Sequence, residues 1–543
     1  MRMLLILLLN LPLCGAVIEV SPGENIQDAV NGSAPLDTIM LLNGEYYESV
    51  LVNSNPITIC GEFILTNDTT DISRTIWRPG ENRPDTASCV VVADIQGIPT
   101  LLGITFMGGQ GTIGRDTNEP AGGAILVERS NLKIDYCLIK NSESTYGGGV
   151  ASFGGNLWSP QGHLQVYNCT FDSCTSFGWG GGLYANTCSL SVEQTKFEAD
   201  SALGDGGGLI ALDCISSVSG CEVLCCTGGT GGAVFAGRSS RVANCAFENN
   251  KSLPPTYWAT HYAHGQGHHV VEGCYFGQSA SLSRGFNFCC GGDTIVFVGN
   301  IVENIVATSP FGTGNFAISG VRGELAYNIV RNNRTRGEQI FPLGGTTIDI
   351  HHNIFSGNVS DFADRPSVLK IGQDPDQTFH DNAIVGNSGQ TIGYTADPGL
   401  IDARYNWWGS ETGPYHPTRN PFGQGDTILS DSVLFDPWLL SPPDTTNSIS
   451  PPQVTQPSTW KIVSLYPNPF NSELSIAIAG VMSPTFSLKL YDLLGREVAT
   501  LSEGRGHGAM IHYTASPTLA TGVYFVRAAD ATSIETRKIV FLK

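Results

Sequence analysis

Apolar and polar residues alternate along this chain in short blocks, and the blocks return at a nearly constant spacing. A six-residue pattern marks them: a small polar or Cys residue, any residue, a large apolar one, two of any kind, then Asn, Ser, Cys or Asp. It reads Cys169-Thr170-Phe171-Asp172-Ser173-Cys174 and Cys245-Ala246-Phe247-Glu248-Asn249-Asn250, and it recurs from Asn328, Asn353 and Asn382. Weaker copies begin at Cys137, Thr195, Cys221, Cys274, Asn300 and Asn406, so the starts step by 24 to 32 residues, about 27 on average. Five and three residues before most starts lie apolar side chains (Leu132/Ile134, Leu164/Val166, Leu190/Val192, Ile295/Phe297, Ile348/Ile350), with mostly polar residues between them. That is the two-residue period of a half-buried strand. Gly-Gly pairs such as Gly122-Gly123, Gly181-Gly182, Gly207-Gly208 and Gly231-Gly232 precede many starts by 13 or 14 residues and suit tight corners. Two or three short strands per turn of about 27 residues predict an all-β, right-handed parallel β-helix. Roughly twelve coils spaced by about 4.8 Å would make a rod on the order of 55 to 60 Å long.

Composition agrees. With 65 Gly and only 14% charged residues at 41% hydrophobic content, the chain is neither disordered nor a helical bundle. The 29 basic and 49 acidic residues give a net charge of −20, and residues 460–543 hold 8 basic and 6 acidic side chains, leaving −22 on residues 1–459. An acidic surface repels phosphate backbones and anionic lipid, so nucleic acid is not an expected partner.

Met1–Leu13 carries Arg2 followed by a Leu/Ile run, and Cys14-Gly15-Ala16 suits cleavage after Ala16, so residues 1–16 read as a signal peptide. No later segment approaches the ~18 consecutive apolar residues of a membrane helix. Fourteen cysteines follow the cleavage point, from Cys60 to Cys290. Down the stack the first pattern position reads Cys137, Cys169, Thr195, Cys221, Cys245, Cys274, then Asn300, Asn328, Asn353, Asn382 and Asn406: a thiol column passing into an asparagine column. Stacked residues lie about 4.8 Å apart with parallel Cβ vectors, wider than the ~3.8 Å Cβ spacing of a disulfide, so the column is expected to hold buried thiols. Disulfides stay open for Cys188, Cys214 and Cys225. No pair of Cys-x-x-Cys elements calls for zinc.

Ile26-Gln27-Asp28-Ala29-Val30, with Asp37-Thr38-Ile39, Asn43-Gly44-Glu45-Tyr46-Tyr47-Glu48 and Ile57-Thr58-Ile59-Cys60-Gly61, resembles the first coils of the pectate-lyase and pectinesterase superfamily. The Gly-Gly-Ala-Ile and Phe-x-x-Asn elements are similar to repeats of the chlamydial polymorphic outer-membrane proteins. Asn406-Trp407-Trp408-Gly409, Gly413-Pro414, Gly425-Asp426 and Phe435-Asp436-Pro437-Trp438-Leu439 look like the closing segment of bacterial surface β-helices. These resemblances span residues 20–440 and imply fold more than activity.

Ser441–Thr459 reads as a Pro/Ser/Thr linker between a β-helix over residues 17–440 and a small immunoglobulin-like β-sandwich over residues 460–543. In the sandwich, Tyr466-Pro467-Asn468-Pro469-Phe470-Asn471, Tyr491-Asp492-Leu493-Leu494-Gly495-Arg496, Gly522-Val523-Tyr524-Phe525 and Lys538–Lys543 resemble the C-terminal sorting domain of type IX secretion. That resemblance implies the type IX machinery as a partner and delivery to the outer surface of a Gram-negative bacterium or beyond it.

The superfamily works on polysaccharide laid across the outer face of the coils. On the last coils the outward positions hold Asp349 and His351, then His380, then Asp402 and Arg404, with His351, His380 and Arg404 expected in one column. A carboxylate, an imidazole and a guanidinium are groups that acid/base cleavage of a glycosidic bond, or proton abstraction beside a uronate, would use; a solvated polar face is the bland alternative. His261, His264, His268 and His269 form a second cluster that would bind a transition metal if they converged, and Tyr257, Trp258 and Tyr262 beside them would suit sugar stacking. The paired Asp of polygalacturonases is missing, and the chain's Gly-His-Gly, Gly506-His507-Gly508, lies in the sorting domain. No cofactor is called for; calcium stays open, because it needs carboxylates converging on one ion and spacing alone does not show that. A polysaccharide-binding or adhesin-like surface protein is thus the leading expectation, with a lyase or hydrolase as the alternative.

Overall fold

The computed structural model describes residues 15–445 and 461–543, apart from 81–85, 157–158, 161, 237–238, 254–261, 265–266, 279, 282–285, 289–293, 308–314, 319–321, 337–339, 343–346, 363–364, 372–377, 395–399, 467–469, 472, 483–485, 493–495, 504–505, 517–518, 531–533 and 542. Nearly all of the expected signal peptide lies outside the described residues. The chain divides into two units, Met1–Pro452 and Gln453–Lys543.

The first unit is a right-handed parallel β-helix. Three long parallel sheets run along it: a first sheet of 14 strands from Val17–Val20 to Thr378–His380, a second of 13 from Gly44–Tyr47 to Ala383–Val385, and a third of 13 from Val50–Val52 to Ile392–Tyr394. A fourth, shorter sheet of 8 strands, including Glu143–Tyr146 and Thr175–Trp179, occupies the corner between the second and third. Pairing is in register, so like side chains stack: Leu164 lies on Leu190 and Val166 on Val192. The apolar positions read from the sequence face inward, and Leu132, Ile134, Leu164, Val166, Ile295 and Phe297 are fully buried. The N-terminal helix Ile26–Gly32, which the strand pattern does not reveal, starts where the Asn25 side chain accepts the Asp28 N–H and packs Ile26 and Val30 into the same core.

Most described coils turn twice through a left-handed residue, and where the next residue is polar or a thiol its side chain commonly points inward and serves the previous coil. At the first corner Oδ1 of Asn300, Asn328, Asn353, Asn382 and Asn406 accepts the backbone N–H of Cys274, Asn300, Asn328, Asn353 and Asn382, always at 2.9 Å. The amide nitrogens return the bond to carbonyls one coil back, as Asn328 Nδ2 does to Phe297 O at 2.8 Å. Where the column holds thiols, sulfur takes over as a weaker acceptor: Cys221 N–H reaches Cys245 Sγ at 3.4 Å, and Cys245 N–H reaches Cys274 Sγ at 3.5 Å. At the second corner the same contact links Cys174 to Asp200, Cys226 to Asn250, and Ile305 through Asn333 and Asn358 to Asn387. This second ladder ends on Asp426, which accepts from Gly386 N, Asn387 N and Asn387 Nδ2 at 2.6, 3.0 and 2.8 Å. Where the third sheet begins, the coils that carry the Gly-Gly pairs leave no room for a side chain at the glycine. A Cβ on Gly148 would come within 2.4 Å of Gly181 O, and one on Gly181 within 2.2 Å of Gly207 O.

Twelve described cysteines are free, eleven of them buried. Cys188 and Cys214, left open for a disulfide, lie in contact on neighbouring coils as thiols with their sulfurs 3.8 Å apart. Burial pushes the thiols of Cys60 and Cys89 up to about 12, which makes them poor nucleophiles for disulfide exchange. Thiol titration of denatured, unreduced protein is therefore expected to count nearly all cysteines as sulfhydryls, and a count near zero would overturn the thiol column.

The second unit has an antiparallel sheet of Lys461–Tyr466, Glu473–Met482 and Gly506–Thr514 and another of Glu497–Glu503, Ser487–Tyr491, Gly522–Ala529 and Ile534–Phe541. Phe470, Leu474, Ile476, Phe486, Leu488, Leu490, Val526, Ile539 and Phe541 form its core, the make-up of a small β-sandwich.

Candidate functional site

Outward residues of the first sheet through the middle coils are Ser217 and Ser219, then Arg241 and Ala243, then Val270 and Glu272, then Val296 and Val298, with one ion pair between Arg241 and Glu272. The last three strands change this. Register aligns Glu324 with Asp349 and Thr378, and Ala326 with His351 and His380. In-register pairing stacks the two imidazoles with centroids 5.6 Å apart and planes 10° from parallel. His351 Nε2 lies 3.8 Å from both Glu324 Oε2 and Asp349 Oδ2. His380 stands between two carboxylates, its Nε2 3.2 Å from Asp349 Oδ1 and its Nδ1 2.8 Å from Asp381 Oδ2. The Thr378 hydroxyl donates to Asp349 Oδ1 and holds that carboxylate in place.

The adjoining corner adds Tyr327, His352, Asp381 and Tyr405, all at positive φ. Tyr327 stacks on His352 at 4.9 Å, and His352 Nδ1 meets His351 Nδ1 at 2.9 Å. Burial first, and then neighbouring His351, hold the His352 pKa below the usual imidazole value.

Of the residues singled out from sequence, Asp349, His351 and His380 come together, and Arg404 does not join their column. It follows the strand Ile401–Asp402, which pairs with Val433–Leu434 instead of continuing the first sheet, because the closing segment supplies that partner. Its guanidinium turns back on Asp402, at 2.9 and 2.7 Å, and this bond holds the Asp402 carboxyl below its usual range. Sequence reasoning missed Glu324 and Tyr327.

The histidine cluster does not converge through the two members whose side chains are described. Successive strand residues face opposite ways: His268 is exposed and bonds Thr294, whereas His269 is buried against Ser240. Tyr257, Trp258 and His261 lie outside the described residues, as do the side chains of Tyr262 and His264, which belong to the strand Tyr262–His264. Among the described residues no group of three or more His, Cys, Asp or Glu is arranged to hold a metal ion. An aromatic group the sequence did not reveal lies elsewhere: Tyr146 rests 5.5 Å from Trp179 and 5.3 Å from Tyr184.

Comparison with known proteins bears on the second unit most directly. Residues 464–542 match the family described as the secretion system C-terminal sorting domain. The chain is therefore a parallel β-helix carrying a type IX sorting domain, which indicates secretion or attachment at the cell surface. Among the described residues no helix is long and apolar enough to cross a membrane. No curated protein matches the chain. Solved structures similar to it include a pectate lyase (11% identity, covering 68% of this chain and 79% of the other, TM-score 0.29). An alginate lyase from Paenibacillus sp. (12%, 70% and 98%, 0.23) is another. The tailspike of E. coli bacteriophage HK620, solved with a pentasaccharide (13%, 96% and 90%, 0.30), is a third. The fold assignment rests on the ladders of this chain.

Proposed function

We propose that this protein is displayed on, or released from, the outer surface of a Gram-negative bacterium, and that the last coils of its β-helix bind a polysaccharide. The observation that carries this reading is the outward corner on which Glu324, Asp349, His351 and His380 stand in register beside Tyr327 and Tyr405. Carboxylates and imidazoles at coil spacing offer hydroxyl-rich polymers a row of hydrogen-bond partners on a rigid backbone. The acidic balance of the rod suits a polymer that is not itself strongly anionic.

One observation favours a second reading, cleavage of the bound polymer. Asp381 holds His380 through Nδ1 at 2.8 Å, and an imidazole so anchored could turn its Nε2 from Asp349, 3.2 Å away, to give its proton to a glycosidic oxygen. The test for both readings is incubation of the full chain with plant, algal and bacterial polysaccharides, scoring retention and new reducing or unsaturated ends. His380→Ala is expected to weaken retention about tenfold or more, from the loss of charge-assisted hydrogen bonds. Product that disappears in His380→Ala favours cleavage at this corner, and product that persists in it places the chemistry elsewhere. Retention without product leaves a binding module.

A further inference from the structure

The first corner of the β-helix carries one left-handed residue per coil: Gly103, Tyr136, Asn168, Gln194, Gly220, Asn244, Gly273, Gly299, Tyr327, His352, Asp381 and Tyr405, with φ between 49° and 67°. Glycine, asparagine, aspartate and histidine, which tolerate this conformation best, fill eight of these twelve places; Tyr136, Gln194, Tyr327 and Tyr405 are the exceptions. A tyrosine there is disfavoured and needs a compensating contact. Tyr136 has one, packing on Phe63 with centroids 5.0 Å apart. Among the described residues the ring contacts of Tyr327 are with the imidazoles of this same corner, stacked on His352 at 4.9 Å and edge-on to His351 at 5.9 Å. Tyr405 is 51% exposed, and among the described residues its phenol takes part in no hydrogen bond. Two tyrosines in a disfavoured conformation beside the polar column, one of them half exposed, point to a surface kept for a ligand.

We infer that Tyr327 and Tyr405 are the platforms on which sugar rings of the bound polysaccharide seat, and that this polysaccharide carries no anionic groups. The inference rests on the polysaccharide reading above. A tyrosine ring offers a flat apolar face at small entropic loss and a hydroxyl at its edge, the combination that takes the C–H face of a pyranose. The charges around it set the ligand class. Glu324, Asp349, Asp381 and Asp402 border the corner, and the nearby guanidinium of Arg404 is committed to Asp402. Among the described residues four carboxylates outnumber the one uncommitted guanidinium on this face, the exposed Arg322 two residues before Glu324, so a uronate or sulfated chain would meet a net negative corner on a rod already at −22 over residues 1–459.

Affinity electrophoresis of the full chain in gels holding either neutral xylan or polygalacturonate, with denaturant unfolding of the same proteins, tests this. The wild type is expected to be retarded by xylan and not by polygalacturonate. Tyr405→Asn and Tyr327→Asn put a residue suited to left-handed backbone at these corners, so each is expected to weaken retardation about tenfold while its denaturant midpoint stays the same or rises. Tyr405→Gly is the second variant should the asparagine disturb the neighbouring segment. A purely structural tyrosine would lower the midpoint and leave retardation alone, which would overturn the inference. So would retardation by polygalacturonate only. If xylan retards wild type and both variants equally while His380→Ala is released, the platforms fall and the binding corner stands. Retardation of the wild type by neither polymer removes both.

Discussion

Replacing Asn353 by Ala is expected to lower the stability of the β-helix by about 3–5 kcal/mol. Asn353 sits mid-ladder at 1% exposure and joins three coils. Its Oδ1 accepts Asn328 N and Asn328 Nδ2, both at 2.9 Å, and its Nδ2 donates to Leu325 O, His351 O and Asn382 Oδ1 at 2.8, 2.9 and 3.0 Å. Alanine leaves the Asn328 N–H without its acceptor and takes the side-chain donor from Leu325 O and His351 O, and each unsatisfied buried group costs about 1–3 kcal/mol. His351 ends the strand Thr347–His351 and its carbonyl accepts from Asn353 Nδ2, so the loss would also loosen the candidate site. Denaturant unfolding of the full chain, following the β-helix transition, measures it; a shift below about 1 kcal/mol would show that the ladder is not cooperative. Cys245→Ala is the comparison, with a smaller loss because its sulfur is a weak acceptor at 3.4 Å.

Asp200→Asn carries the opposite sign. Asp200 is fully buried on the second ladder and accepts the Cys174 N–H at 2.8 Å, while its Oδ2 has no partner. Burial, with nearby Asp172 and Glu198 adding to it, raises its pKa well above the usual carboxylate value. A raised folded pKa favours the proton-bearing native state. This stability is fully present below the unfolded value of about 3.9 and is lost as pH climbs from there through the folded pKa, by up to about 1.4 kcal/mol per unit. Asparagine keeps the acceptor and removes the titration. By analogy with Asn250, whose Nδ2 donates to Val223 O at 2.9 Å, it also gains a donor for the corresponding carbonyl. The variant is expected to be about 1–3 kcal/mol more stable near neutral pH, with a flatter stability profile between pH 4 and 8. Denaturant midpoints across that range decide it, and a variant less stable at every pH would refute the ladder assignment.

Much of this was readable from the sequence because the repeat sets the register. Cys137 through Asn406 are the inward ladder, and the Gly-Gly pairs are contacts at which a Cβ would collide with the next coil. The same register places His269 inward, five residues before Cys274 like Leu132 before Cys137, so strand alternation already separated it from His268. The site was less legible. Asp349 and His351 follow the strand period, but Glu324 belongs to a strand with Gly323 where its neighbours carry apolar residues, and Tyr327 sits at a corner whose backbone conformation has no composition signature. Arg404 misled because the closing segment, not the repeat, decides what its strand pairs with.

Hydrogen exchange of the full chain, with and without the polysaccharide that retains it, tests the location of binding most directly. The account predicts added protection confined to residues 322–327, 347–352, 378–381 and 400–406. Protection centred on Tyr146 and Trp179, or on the second unit, with none at the last coils, would contradict it.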